Sequence, residues 1–455
     1  MTPLEPLPSA WTIAPIGDVA DINPKLSKLS IPDELQVSFI PMSAVEACGG
    51  FVDVSQSRPF ASVRKGYTPF RQGDVLFAKI TPCMENGKMA VVPELTNDIG
   101  FGSTEFHVLR PRSIISAKYL YYFVSSEKFR HDAEHNMTGA VGQRRVPTAY
   151  VSRCLIPLPP LAEQHRIVAK IEELYSELDK GIENLAVARG QLEVYRQSIL
   201  KYAFDGRMTE GWRETNPHKW VSMSIKDASD RIVDCLHSTP KFAASGKFCI
   251  DSTWIENNRV LFDEARFVDE SVFANRIVRL KPAKGDVLFV REGSKKIGTA
   301  VVANFDDDYC LGQRMMMFRL RSEILPQYFV YYIQSDSFKK QYKPLIGGSA
   351  SPHLNITDIK RMTFPLCSLN EQREIVRMID AQYSVIDDLE TTIDEEMQRS
   401  HALRQAVLKR AFSGRLVAQE ANDVTASVRL ASTAQPKKAV GNVRKKKSNR
   451  NMEAA

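Results

Sequence analysis

One segment of this chain occurs twice without a gap, and that repeat limits the fold more than any other feature. Residues 157–208 align with 365–416 at a constant offset of 208. Glu163-Gln164 falls over Glu371-Gln372, and Ile167-Val168 over Ile375-Val376. The far end matches best: Leu200-Lys201-Tyr202-Ala203-Phe204-Asp205-Gly206-Arg207 lies over Leu408-Lys409-Arg410-Ala411-Phe412-Ser413-Gly414-Arg415. Two ends in one register make chance a poor explanation, and internal repetition at a fixed period is the mark of a duplicated architecture. The stretches before these segments echo each other more weakly. Trp11 answers Trp220, Gly73-Asp74-Val75-Leu76-Phe77 answers Gly285-Asp286-Val287-Leu288-Phe289, and Lys118-Tyr119-Leu120-Tyr121-Tyr122 answers Gln327-Tyr328-Phe329-Val330-Tyr331. The expected order is variable domain, helical segment, variable domain, helical segment, tail. Copies that keep a frame and change their loops are expected to read different things.

The repeated segments predict long helices. Pro159-Pro160 ends what precedes and marks a helix start. From there Ile167, Ile171, Leu174, Leu178, Gly181, Leu185, Ala188, Leu192, Tyr195, Ile199 and Tyr202 step by four and three, a heptad seam. Gly206 is placed to cap the end. A helix of about 45 residues spans roughly 65 Å. The second copy, Ile375, Ile379, Tyr383, Ile386, Leu389, Ile393, Met397, Leu403 and Val407, is less regular and is interrupted at Ser400. An apolar stripe must be buried, either on each helix's own domain or by the two copies pairing as a coiled coil. Antiparallel pairing would put a variable domain near each end and relate the halves by an approximate two-fold axis.

The chain has 455 residues, too many for one ordinary core and enough for about three domains. Its seven cysteines form no C-x-x-C pair, which leaves zinc and redox motifs unsupported and fits a reducing cytosol. No signal peptide or membrane-length apolar run is seen, so a cytoplasmic protein without membrane association is expected. Of the net +7, the tail from Ala418 carries +5: Arg429, Lys437, Lys438, Arg444, Lys445, Lys446, Lys447 and Arg450 stand against Glu420, Asp423 and Glu453. The body therefore binds a polyanion only if its basic residues cluster on one face. The tail itself is too poor in apolar residues to build a core and is expected to be disordered.

Residues 11–156 and 220–364 read as mixed α and β. Asp74–Ala78 and Met89–Val92 are expected to be buried strands joined by a polar turn, repeated by Asp286–Val290 and Thr299–Val302. The turns hold Lys79, Thr81, Asn86 and Lys88 in one copy and Arg291, Ser294, Lys295 and Lys296 in the other. All are donors suited to phosphates or base edges. A second pair of loops, 138–145 and 346–353, brings glycines that let amides approach a phosphate. It also carries Gln143, Arg144 and Arg145, answered by Ser349 and His353. A third pair is Ser103-Thr104-Glu105 and Gln313-Arg314. Lys79, Lys88, Lys295 and Lys296 are candidates for phosphate contact. Gln143, Arg144, Arg291, Gln313 and Arg314 are candidates for base contact. Solvated hairpin tips are the alternative for every one of them.

Pro157-Leu158-Pro159-Pro160-Leu161-Ala162-Glu163-Gln164 with the heptad helix, its recurrence as Pro365-Leu366-Cys367-Ser368-Leu369-Asn370-Glu371-Gln372, and the closing Ala203-Phe204-Asp205-Gly206 and Ala411-Phe412-Ser413-Gly414 resemble the specificity subunit of type I restriction–modification enzymes. Gly73–Phe77 and Ser103-Thr104-Glu105-Phe106 resemble its target-recognition domains. The resemblance spans about residues 11–416. Ser351 departs from the pattern where the first copy has Gln143, and the basic tail lies outside it. The resemblance implies an α+β fold: two mixed α/β target-recognition domains (1–156 and 211–364) and two helical spacers (157–210 and 365–417) that form an antiparallel coiled coil with pseudo-two-fold symmetry. A tail, 418–455, follows. It also implies that each domain reads one half of a split target in double-stranded DNA. The helices would dock two methyltransferase subunits, which use S-adenosylmethionine to methylate adenine, and a motor–nuclease subunit would join for restriction.

The chain itself is not expected to be an enzyme, and no cofactor or metal is expected. A stand-alone adenine methyltransferase needs a polar-Pro-Pro-aromatic motif for the flipped base, whereas leucines flank Pro159-Pro160. No phosphate-binding glycine loop appears. His107, His131 and His135 lack metal-ligand spacing. A nuclease or methyltransferase, and a coiled-coil adaptor that binds only protein, are the alternatives.

Overall fold

The run Val75-Leu76-Phe77-Ala78 is apolar at every position because both faces of its strand are covered. In the computed structural model, which describes residues 7–26, 31–140, 142–256, 259–262, 265–293, 296–347 and 352–433, Val75 and Phe77 face a helix-bearing core, while Leu76 and Ala78 face a second sheet. The copy does the same: Val287 and Phe289 face one core, Leu288 and Val290 the other. Alternate side chains of a strand point to opposite faces, so a strand between two cores reads as continuous apolar sequence.

The chain divides into two compact units, Met1–Glu183 with Met397–Ala455, and Asn184–Glu396. In the first, an antiparallel sheet runs Ala20–Ile22, Phe106–Pro111, Val75–Ala78, Met89–Val91. A second sheet runs Ser57–Pro59, Gln36–Ile40, Gly100–Gly102, Thr68–Phe70, with its middle pair parallel. The second unit repeats the plan with Ser229–Asp234, Met315–Leu320, Val287–Val290, Ala300–Val302. Its other sheet is Arg266–Val268, Lys247–Ile250, Tyr309–Leu311, again with one parallel pair. The buried carboxylate that opens each central strand is used identically. Asp74 accepts from the Arg71 amide and from Arg110 at 2.8 and 2.7 Å, and Asp286 from the Ala283 amide and from Arg319 at 2.9 and 2.8 Å.

Leu161–Phe204 and Leu369–Phe412 are the long helices, 44 residues each, and the second continues through Ser400. In the first unit the start of one packs with the end of the other: Ile167, Val168 and Ile171 share a core with Leu408 and Ala411, and the Tyr175 hydroxyl donates to the Arg404 carbonyl. In the second unit Ile199, Leu200 and Ala203 share a core with Ile375, Ile379, Tyr383 and Ile386. The helices thus pair antiparallel, with Arg404–Asp179, Arg189–Asp394 and Arg196–Glu390 crossing between them. The expected seam is fully buried only where a domain core also covers it. Leu174, Leu178, Leu185, Ala188 and Leu192 are half-buried, and Tyr195, Tyr202, Leu389 and Leu403 are about half exposed. Two helices alone cover less than the full width of each other's apolar stripe. Gly206 and Gly414 close the helices at φ +77 and +73, a conformation that only glycine adopts cheaply.

The repeated Glu-Gln pair sits, fully buried, at each helix start. Gln164 donates to the Ile114 and Pro159 carbonyls and accepts from the Ser116 amide. Gln372 donates to Glu323 and Cys367 and accepts from Leu325. Trp11 donates to Glu163 and Trp220 to Glu371, both at 3.0 Å. Burial pushes the Glu163 carboxyl up, opposed by its bonds from Gln419 and Trp11. Buried polar groups persist where they are paired, so these residues fasten helix to domain.

The expectation of a disordered tail from 418 needs correction over its first part. Gln419 donates to Glu163 at 2.6 Å, Arg166 pairs with Asp423 at 2.7 Å and Glu420 at 3.3 Å, and a helix, Ala426–Thr433, packs Ala426 and Leu430 on the first core. Two of the tail's acids, Glu420 and Asp423, serve here as partners of Arg166. The remainder, 434–455, lies outside the described residues.

Candidate functional site

Three loops far apart in sequence meet in each unit. In the first, the Lys79 amide donates to the Glu105 carbonyl at 2.9 Å, the Val146 amide to the Lys79 carbonyl at 2.8 Å, and the Thr81 amide to the Arg144 carbonyl at 3.0 Å. In the second, the Arg291 amide donates to the Arg314 carbonyl at 3.1 Å, the Leu354 amide to the Arg291 carbonyl at 3.0 Å, and the Gly293 amide to the Pro352 carbonyl at 3.0 Å. An isolated bridge accompanies each set, Ile80 with Arg145 and Glu292 with His353. The frame therefore superposes Lys79 on Arg291, Glu105 on Arg314, Arg144 on Pro352, Arg145 on His353 and Val146 on Leu354. The backbone is common and the side chains are not.

In the first unit Arg145 grips Glu105 with two bonds of 2.9 Å and donates a third to the Gln143 carbonyl. The Arg145 guanidinium holds the Glu105 carboxyl below the usual carboxylate range, and Lys79 adds to this. Arg144 stands 3.7 Å from both Glu85 and Glu134, too far for a hydrogen bond. Gln143 is exposed and Lys79 half-buried. Asn86 is exposed at the loop tip, where its carbonyl accepts from the Cys48 thiol. The Thr81 hydroxyl is buried without a partner among the described residues. Lys88 donates to the Met42 carbonyl at 3.1 Å, so this lysine braces the turn at Met42 as well as carrying charge.

In the second unit Arg291 does not face outward as a base-reading side chain would. It is buried, donates to Asp234 at 2.9 Å and to the Leu354 carbonyl at 2.8 Å, and pairs with Glu292 at 3.0 Å beside His237. His237 also lies 2.8 Å from Asp234. Gln313 accepts from the Thr239 hydroxyl at 2.6 Å, and Arg314 is exposed. Lys296 donates to the Thr253 and Ile255 carbonyls at 3.2 and 3.0 Å. The His353 main chain closes on Gly347. Ser294, Lys295 and Ser349 lie outside the described residues. Sequence reasoning passed over Asp234 and His237, which no local motif marks, and treated His107 only as a poor metal ligand.

The donors available at both clusters suit a polyanion with readable edges. Among the described residues no group of three or more His, Cys, Asp or Glu could hold a metal, and no helix is long and apolar enough to cross a membrane.

A family model described as the type I restriction modification DNA specificity domain matches residues 8–186 and 255–399. The chain is similar to the type I restriction enzyme EcoAI specificity subunit of Escherichia coli, 42% identical over 238 residues, which are 51% of this chain and 39% of that protein. With the EcoEI specificity subunit of Escherichia coli it is 37% identical over 37% of this chain and 28% of that protein. The chain thus aligns with well under half the length of these two relatives. The EcoKI specificity subunit of Escherichia coli strain K12 is 25% identical over 91% of this chain and 90% of its own length. In fold the chain resembles the HsdS subunit from Thermoanaerobacter tengcongensis, with a TM-score of 0.55 at 21% identity over 91% of this chain and 99% of that one. It also resembles a chain from a structure concerned with complex assembly and conformational transition of the type I restriction–modification system, with a TM-score of 0.67 at 22% identity over 90% and 100%. With the family model covering most of its length, this chain belongs to the type I restriction–modification DNA specificity family.

Proposed function

We propose that this chain is the sequence-reading subunit of a type I restriction–modification complex. Each unit reads one half of a bipartite site in double-stranded DNA through its three-loop cluster. The observation that carries the reading is the shared main-chain frame with exchanged side chains. One frame with Lys79, Glu105, Arg144 and Arg145 in one copy and Arg291, Arg314, Pro352 and His353 in the other suits two different targets of one chemical kind. Base-edge contacts specify sequence and phosphate contacts position the protein. Gln143, Arg144, Gln313 and Arg314 take the first role. Lys79, Lys88 and Lys296 take the second, with Thr81, Asn86, Arg145, Ser294, Lys295, Ser349 and His353 supporting them.

The chain acts without an active site of its own. The long helices dock two methyltransferase subunits, and a motor–nuclease subunit completes the complex. Supporting this, Val187, Val194, Tyr195, Tyr202 and Val385 are about half exposed or more on the helices of the second unit. A groove of about 610 Å³ between those helices is lined by Tyr195, Ile199, Tyr202, Met208, Met378 and Gln382. Exposed apolar surface of this kind marks a protein interface. The lysines of 434–455 add affinity without sequence preference.

Methylome sequencing of the native strain with and without this chain tests the whole reading. Loss of one bipartite adenine-methylation motif is expected on removal. An unchanged methylome contradicts it, and methyl transfer by the isolated chain contradicts the non-catalytic role.

A further inference from the structure

We propose that His107, as the neutral Nε2–H tautomer, is the positioning residue that holds the Arg144–Arg145 turn of the first unit in its reading geometry. This rests on the reading of that loop as DNA-contacting. His107 is buried, and its ring nitrogens meet Asn23 and the Val146 main chain. Its Nε2 lies 2.8 Å from the Val146 carbonyl, and its Nδ1 lies 3.0 Å from the Asn23 side-chain nitrogen. The Asn23 amide cannot be turned at no cost, because its oxygen accepts from the Val108 amide at 3.0 Å. Its NH2 therefore faces Nδ1, which must accept, and the imidazole proton sits on Nε2 and is donated to Val146. Val146 in turn donates its amide to Lys79, so the histidine closes the frame that joins the 79–81 and 144–146 loops.

The second unit solves the same problem differently. Opposite Phe77 stands His107, and opposite Phe289 stands Met316. The carbonyl equivalent to Val146 is that of Leu354, and it is held by the Arg291 guanidinium at 2.8 Å. Arginine keeps its charge and its donors at every physiological pH. Histidine does not, and protonation would set Nδ1–H against the Asn23 NH2. The groups facing the ring are Lys79 and Glu105, of opposite sign, with Glu105 already engaged by Arg145. Phe77, stacked at 6.0 Å, is neutral, as are Asn23 and Val146. Burial, first of all, keeps the ring neutral down to a lower pH than an ordinary histidine.

The test is bound-site selection at about pH 8, where the ring is neutral, by the assembled complex carrying the natural chain, His107→Gln or His107→Leu. His107→Leu, which cannot donate to the Val146 carbonyl, should lower base preference in the first half-site about tenfold, the size of one base contact. His107→Gln, whose amide can still donate to Val146, should keep the natural preference, and neither variant should alter the second half-site. Unchanged preference in His107→Leu overturns the inference, as does a loss in His107→Gln as large as that in His107→Leu. Arg144→Ala separates the two claims. If it changes the first half-site while His107→Leu does not, the role of His107 falls alone. If Arg144→Ala is also silent, the loop reading falls and this inference with it.

Discussion

In the first unit the frame is closed by a buried histidine and its charges lie half-exposed at the surface, as the Arg145–Glu105 pair. In the second unit the frame is closed by a buried arginine, with Asp234 and Glu292 drawn in around it. The same main-chain geometry thus stands on a polar but neutral support in one copy and on an ionic one in the other. A duplicated domain can therefore exchange both its loop side chains and the residues beneath them, provided the three main-chain hydrogen bonds survive. The differences between the supports are open to direct attack.

The largest effect is expected at Arg291. Arg291→Met leaves the buried Asp234 carboxylate and the part-buried Glu292 carboxylate with only His237 beside them, which should destabilise the second unit by about 3 kcal/mol. The superposed change, Lys79→Met, removes no buried partner and should shift stability by no more than about 0.5 kcal/mol. Denaturant unfolding of both variants measures this, and equal losses would erase the distinction between the supports. Next come Gln164→Leu and Gln372→Leu. Each strands one amide and two carbonyls, at a cost of roughly 2–3 kcal/mol. Because both glutamines do the same work, the two losses should match within error. A clear inequality would show that the helix anchors are not equivalent.

The smallest effect concerns acid. The Glu105 carboxyl is lowered from 4.5 in the folded chain by Arg145. Its contribution is therefore complete above about the unfolded value and fades as pH falls through the lower folded value. Glu105→Gln should flatten that part of the acid-unfolding curve of the first unit only, and only slightly, since the pair is partly solvated. An equal flattening in the second unit, which has Arg314 at that place, would be inconsistent with the frame superposition.

What could be read in the sequence was what the duplication keeps. Gln164 and Gln372 recur because each satisfies the same main-chain groups, Glu163 and Glu371 because each accepts from the matching tryptophan, and Asp74 and Asp286 because each holds the same turn amide and an arginine, while the apolar strand that follows each aspartate must fill two cores. The long helices were legible from their period. Their half-exposed middle was not, because a heptad stripe looks the same whether one neighbour covers it or two. Arg291 read as an exposed donor because it sits beside Glu292 and Gly293 in a turn. Its buried partner Asp234 arrives from 57 residues away, which no local pattern encodes. The packing of 418–433 was hidden for a similar reason. Leu416, Val417, Ala426 and Leu430 are too sparse to suggest a core, and they suffice only because the first unit already offers one.

The central claim is that two clusters on one frame read two half-sites independently. Bound-site selection by the complete complex carrying Arg144→Ala or Arg314→Ala tests it most directly. Arg144→Ala should relax preference by about 1–3 kcal/mol in one half-site only, and Arg314→Ala by a similar amount in the other only. If either substitution changed preference in both half-sites, or both substitutions changed the same one, the account would be contradicted.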